Sequence, residues 1–199
     1  MLFDIGSFLD QFSAPQPRDA ENLFSTKRRA WHQSNNTVAR CDFAPRKSAI
    51  SGYGFKVLSL WSRSIYGPSL TDIKADPEKI PFFIENMTQF IRQTLGTAMD
   101  KSDWAIVTPP PRRHKERNFA QSVADGIAAN LGIPHIADVA ESDTRQRVNV
   151  DFRLRHLPRQ QNLLIFDDII TTGSTFMSMN RLLTPHGKTL LFVAAIKNS

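Results

Sequence analysis

Thirteen consecutive residues, Leu163-Leu-Ile-Phe-Asp167-Asp168-Ile-Ile-Thr171-Thr172-Gly173-Ser174-Thr175, constrain this chain of 199 residues more than any other stretch. Four apolar residues in a row, without alternation, suit a strand covered on both faces, as a central parallel strand is. Parallel neighbours need a crossover, usually a helix. Phe176, Met179, Leu182 and Leu183 supply one, recurring at helical spacing until Pro185 and Gly187 end the run. The same grammar recurs on either side. Trp104–Thr108 reads as a short buried strand halted by Pro109-Pro110-Pro111. Asn118 and Gln121 make an N-cap and capping-box pair for a helix with Ala120, Val123, Ala124, Ile127, Ala128 and Leu131 on one face and Gly132 at its end. His135–Val139 and Leu190–Ile196 read as further strands. This alternation predicts an α/β fold, an open sheet with mainly parallel central strands flanked by helices.

The first half of the chain is less explicit. Gly54–Leu60 looks like a strand, and Phe83, Ile84, Met87, Phe90, Ile91 and Leu95 predict an amphipathic helix over 82–95 after Pro81. Residues 1–50 lack sustained periodicity and read as an irregular arm, its first twelve residues able to form a short amphipathic helix. The expected organisation is an arm (1–50), a hood with the helix (51–100) and a core (101–199), together one compact unit. A chain of this length buries roughly 70% of its unfolded surface in a single core. Its 41% apolar and 22% charged content excludes disorder throughout. The longest apolar run, Leu190–Ile196, is far shorter than the ~20 residues of a membrane span. Asp4 and Asp10 flank the first apolar stretch with no basic lead, unlike a secretory signal, so a cytoplasmic location is expected. Cys41 stands alone, which excludes an internal disulfide and a Cys-rich zinc cage, and the five histidines form no ligand-like pair.

The thirteen residues also carry chemistry. A buried strand delivers two adjacent carboxylates to its C-terminal edge, where ligands bind in open α/β sheets. Thr171, Thr172, Gly173, Ser174 and Thr175 then turn into a helix, so that backbone N–H groups converge on one point, as a phosphate requires. The turn lacks the lysine of a P-loop and the spacing of a dinucleotide fingerprint. Carboxylates have no use for the phosphate itself; they suit hydroxyls on a sugar that carries it. The ligand so inferred is a ribose 5-phosphate.

Charge adds a second clue. Lys and Arg number 25 against 19 Asp and Glu, a net +6, and Arg112, Arg113, Lys115 and Arg117 stand within six residues. Such an excess suits nucleic acid or a small, highly charged anion such as a diphosphate, and charge alone does not decide between them.

At Leu163–Thr175 the sequence resembles the 5-phosphoribosyl-1-pyrophosphate (PRPP) motif of type I phosphoribosyltransferases: an apolar run, two acidic residues, then Thr-Thr-Gly-Ser-Thr. The resemblance spans roughly residues 100–196, with a faint echo at 53–66. It implies that Asp167 and Asp168 are the catalytic pair holding the ribose 2- and 3-hydroxyls, and that Thr171, Thr172, Gly173, Ser174 and Thr175 bind the 5-phosphate. Thr108–Gln121 is similar to the strand, Pro-x-Pro turn, basic loop and helix start of ComF-like (competence protein F-like) members. That implies pyrophosphate binding by Pro110, Pro111, Arg112, Arg113, Lys115 and Arg117. Asn118 and Ala120 depart from that pattern, where Gly and Asn are expected, and one cysteine cannot build the zinc module with which such proteins commonly begin. Residues 141–160 occupy the place of a mobile catalytic loop, with Arg145 and Arg147 as its candidates. The implied activity is transfer of the phosphoribosyl group from PRPP to a nitrogen acceptor that the sequence does not identify, with release of pyrophosphate. Mg²⁺ would arrive with PRPP, without direct side-chain ligation. A homodimer is compatible with the resemblance, a membrane partner is not expected, and nucleic acid is not favoured. Two alternatives stay open: a regulatory protein that binds PRPP or a nucleotide without turnover, and a nucleic-acid-associated factor using Lys27-Arg28-Arg29 and the Arg-rich stretch.

Overall fold

The computed structural model describes residues 38–51, 54–110, 118–142 and 152–198. In chain order the elements are β1 (Ser48–Ile50), β2 (Val57–Ser62), α1 (Leu70–Ala75), α2 (Lys79–Leu95), β3 (Trp104–Val107), α3 (Phe119–Leu131), β4 (His135–Ile136), β5 (Ala140–Ser142), β6 (Phe152–Leu154), β7 (Asn162–Ile170), α4 (Ser174–Leu183) and β8 (Thr189–Lys197). Among the described residues, six strands form one sheet in the order β1-β2-β8-β7-β3-β4, and β5 pairs with β6 in a separate antiparallel ribbon. Every pairing in the large sheet is parallel except β1 with β2. The fold is the expected α/β class, a mostly parallel sheet flanked by helices.

Strand alternation builds two cores. Leu164 and Phe166 of β7, Ile106 of β3 and Val193 of β8 face α2 and α3, with Val123, Ile127, Met87 and Ile91 opposite them. The intervening residues Leu163, Ile165, Ala105 and Phe192 face α4 through Phe176, Met179 and Leu183. Helix α2 lies so close to α3 that a Cβ on Gly126 would come within 3 Å of three Ile84 side-chain atoms. Cys41 is fully buried in the first core, and burial pushes its thiol pKa up, which makes it a small core residue rather than a reactive one.

Several boundaries differ from the sequence expectations. Helix α2 starts at Lys79, so Pro81 stands inside its first turn, where a missing N–H costs nothing. Strand β7 runs four residues beyond Phe166, because Ile169 and Ile170 resume the apolar pattern that the aspartates interrupt. The expected strand at 135–139 is a two-residue pairing with the end of β3. Residues 48–50, expected in an irregular arm, are an edge strand on β2, and β2 is seated beside β8 in the main sheet. Ribbon β5–β6 flanks the stretch that contains Arg145 and Arg147, which lie outside the described residues. Among the described residues, no helix is long and apolar enough to cross a membrane.

Candidate functional site

The crossover from β3 through α3 leads outward to β4, and that from β7 through α4 leads the opposite way to β8. Between β3 and β7 the winding reverses, and the crevice beyond the carboxyl ends of such a pair is where ligands bind in open α/β sheets. The register opens it: β3 pairs with β7 only as far as Val107 opposite Ile165, whereas β8 accompanies β7 to Ile170. Among the described residues, the 166–170 stretch therefore has a neighbouring strand on one side alone. A cavity of about 920 Å³ occupies this place.

Three groups of residues line it. From the sheet come Asp167 to Ile170, the turn Thr171–Thr175 and Phe176. Pro109, Pro110, Asn118, Phe119 and Ala120 flank the break where the basic loop departs. The opposite wall is Val38, Ala39, Leu70, Thr71 and Lys74. The structure thus brings Pro110, Asp167, Asp168, Thr171, Thr172, Gly173, Ser174 and Thr175 together around one space. Pro111, Arg112, Arg113, Lys115 and Arg117 lie outside the described residues, as does the Lys27–Arg29 run.

Gly173 holds φ 71° and ψ 1°, a left-handed conformation that turns the chain from β7 into α4. Gly173 has no side chain with which to cap α4, the Ser174 N–H reaches Thr172 Oγ1 only at 3.5 Å, and no acidic residue stands in the first turn, so this end keeps the partial positive charge of a helix N-terminus. Thr172 Oγ1 donates to Ser174 Oγ (3.2 Å), which keeps the two hydroxyls on the same side of the turn. These features suit an anion held by backbone N–H groups and hydroxyls.

The two aspartates, being neighbours on a strand, occupy opposite faces. Asp168 shares the face of Leu164 and Phe166 and is buried; Asp167 shares that of Leu163 and Ile165. Oδ1 of Asp167 accepts the Asp168 backbone N–H (2.9 Å). Burial, and then the adjacent Asp168 charge, push the Asp167 pKa up to about 8 against the pull of Lys74. Lys74 Nζ lies 2.8 Å from each Asp168 carboxylate oxygen, from a helix 94 residues away in sequence.

The raised Asp167 pKa has a thermodynamic consequence. Its protonated form is favoured in the folded state, so its contribution to stability is greatest below about pH 4 and is lost as pH rises towards 8. Asp167→Asn, which has nothing to ionise, is therefore expected to gain thermal stability relative to the unaltered chain as pH goes from 5 to 8. Paired melting curves across that range check this; a constant difference would contradict it.

Two other arrangements were not visible in the sequence. His135 Nδ1 lies 2.6 Å from Asp125 Oδ1, and since a carboxylate only accepts, the ring proton sits on Nδ1. Its Nε2 shares a hydrogen bond with the buried Thr108 hydroxyl (3.1 Å), tying α3 and β4 to the end of β3 where the basic loop begins. Asn198, after β8, approaches Thr171 with its amide nitrogen (3.5 Å), while its Oδ1 is buried without a partner among the described residues.

No protein-family model matches the chain, and no curated protein sequence does. Solved structures that it resembles include adenine phosphoribosyltransferase of Saccharomyces cerevisiae, with 13% identity, 85% of this chain and 89% of that one covered, and a TM-score of 0.46. Another is the Leishmania tarentolae adenine phosphoribosyltransferase, at 14% identity, 83% and 86% coverage and a TM-score of 0.44. A third, from Thermoanaerobacter pseudethanolicus, has 15% identity, 77% and 95% coverage and a TM-score of 0.42. Likenesses this weak assign no activity; any activity has to come from the chain's own residues.

Proposed function

We propose that the chain is a phosphoribosyltransferase that binds PRPP in the crevice between β3 and β7 and transfers its phosphoribosyl group to a nitrogen acceptor. The observation that carries this reading is the placement of an aspartate pair and the Thr171–Thr175 turn on one cavity at the reversal of the sheet. The 5-phosphate takes the turn and the N-terminal end of α4; the ribose hydroxyls take Asp167 and Asp168. At C1 the nitrogen nucleophile forms a bond as the bond to the diphosphate oxygen breaks, and pyrophosphate leaves with the electron pair. The ribose ring passes through a cationic, oxocarbenium-like state, which negative charge at Asp168 stabilises. The protein's work is to fix the sugar, exclude water and neutralise the departing diphosphate, the last falling to the basic loop over 112–117.

Magnesium belongs to the substrate in this reading. Among the described residues, no three His, Cys, Asp or Glu side chains come together, and both oxygens of Asp168 already face Lys74. That donor set does not build a resident Mg²⁺ site, which needs oxygen ligands in octahedral array, so the ion comes on the phosphate oxygens of PRPP.

ComF-like membership rests on the 108–121 sequence pattern alone. Its departures at Asn118 and Ala120 favour, as a second reading, a protein that binds PRPP without turning it over. Titration calorimetry with PRPP and Mg²⁺, followed by a panel of bases and small amines with pyrophosphate release as readout, separates the readings. Saturable binding with release in the presence of one acceptor is expected. Binding with no release across the panel supports the second reading, and an absence of binding overturns both.

A further inference from the structure

The carboxylate pair has a cation of its own. Helix α1 is fixed to the core by Leu70 and Ile73, both buried, and is capped by Ser69, whose hydroxyl accepts the Asp72 N–H (3.0 Å). Its start is joined to the opposite wall strip by Leu70 N–H donating to the Ala39 carbonyl (2.9 Å). From this anchored helix Lys74 reaches across the cavity to Asp168 and takes both carboxylate oxygens at 2.8 Å. Asp167 is held differently: its Oδ1 is engaged by a backbone N–H. The Asp168 side chain is 8% exposed and that of Lys74 45%, so the charge pair is shielded at the carboxylate end and open to the cavity at the ammonium end.

We infer that Lys74 is a positioning residue that fixes the negative charge of the pair on Asp168, dividing two adjacent aspartates into one carboxylate and one protonatable carboxyl. This rests on the reading of the cavity as a PRPP site only for its effect on ligand. Two carboxylates side by side in a partly dry site resist full ionisation, and the proton they retain goes to whichever is farther from the cation. The raised Asp167 pKa agrees with that assignment. A carboxylate has about four lone-pair sites, and Lys74 takes two of those on Asp168, so acceptors remain for a sugar hydroxyl. Lys74, Asp167 and Asp168 are the charged groups among the described residues that line the cavity. Those facing the pair from α3, α4 and the 38–39 strip are uncharged: Asn118, Phe119, Ser174, Thr175, Val38 and Ala39. The basic loop at 112–117, which starts beside Pro110, lies outside the described residues.

The test uses Lys74→Met and Lys74→Arg in the full chain, with two readouts. The first is the titration of the Asp167 and Asp168 carboxyl carbons by ¹³C NMR. Expected is a high-titrating Asp167 in the unaltered chain, a moved Asp167 titration in Lys74→Met as the pair's proton is no longer kept off Asp168, and restoration by Lys74→Arg. The second is the affinity for PRPP with Mg²⁺ across pH 6 to 9, where Lys74→Met loses about twofold or more at pH 6, with the pair's one proton shared between the two carboxyls, and recovers as both ionise. An unmoved Asp167 titration in Lys74→Met overturns the inference whatever PRPP does. A loss of affinity equal at every pH also overturns it, because Lys74 would then be contacting the ligand itself. Shifted titrations in a chain that binds no PRPP leave Lys74 in this role and reject the proposed function.

Discussion

Asp168→Asn is expected to weaken PRPP binding by at least about a hundredfold and to eliminate pyrophosphate release. The substitution keeps the volume of the side chain but changes what it offers. A hydroxyl donor on the sugar meets an acceptor in the carboxylate, whereas the amide presents an NH₂ group on one side and loses the charge. A hydrogen bond to a charged group contributes about 1.5–3 kcal/mol, and one preorganised electrostatic contact to a reacting centre changes rates by roughly 10²–10³. Both losses fall on the same residue, since Asp168 is also the negative charge nearest the developing positive ring in the proposed mechanism. The fold should survive, because Lys74 is nearly half exposed and can return to water when its partner is neutralised. The variant carries an internal control: without the Asp168 charge, one of the causes that push Asp167 up is gone, so Asp167 should ionise at lower pH. A folded Asp168→Asn protein that binds PRPP as tightly as the parent would sink the assignment of the carboxylate pair.

What could be read from the sequence was local. The strand, acidic pair, turn and helix of 163–183 are contiguous, and each is dictated by near neighbours: an unbroken apolar run, a glycine that can adopt positive φ, an amphipathic repeat. The α3 boundaries were equally local. Asn118 Oδ1 accepts the Gln121 N–H (2.8 Å), the Gln121 side chain returns to the Asn118 N–H (3.2 Å), and Gly132 closes the helix at φ 72°. Lys74 was not legible, because nothing within its own stretch says that it meets Asp168. Helix α1 has six residues, too few for periodicity to register. A signal for the helix did exist, in Ser69-Leu-Thr-Asp72, a capping pattern whose Ser–backbone bond is present in the fold. It marks a helix start but gives no partner. The same holds for Thr108, His135 and Asp125, which are brought together by the register of β4 against β3 rather than by any spacing in the chain.

The cavity wall formed by residues 38–39 and α1 depends on one turn, and Gly67→Ala should remove at least about 3 kcal/mol of stability through it. Gly67 has φ +84°, and a Cβ there would lie 2.1 Å from the Cys41 carbonyl oxygen and 2.7 Å from its carbon. These are backbone atoms, so no side-chain rotation relieves the clash, and left-handed φ alone costs a non-glycine residue about 1–2 kcal/mol. The turn must shift, and three hydrogen bonds shift with it: Cys41 N–H to the Pro68 carbonyl (3.1 Å), Arg40 Nη1 to the Gly67 carbonyl (2.8 Å), and Ser64 N–H to the Arg40 carbonyl (2.8 Å). Gly187→Ala separates the two causes, since Gly187 has φ +70° and a Cβ there would meet nothing within 4 Å. It should lose only the conformational part, about 1–2 kcal/mol, by the same chemical denaturation measurement. The excess in Gly67→Ala is then the steric part. Because Leu70 hangs on the Ala39 carbonyl, the disturbance should reach α1 and loosen Lys74 from Asp168. In whatever fraction of Gly67→Ala remains folded, the Asp167 titration should move as it does in Lys74→Met. Equal destabilisation by the two glycine substitutions would show that the contact with Cys41 is not what holds this wall in place.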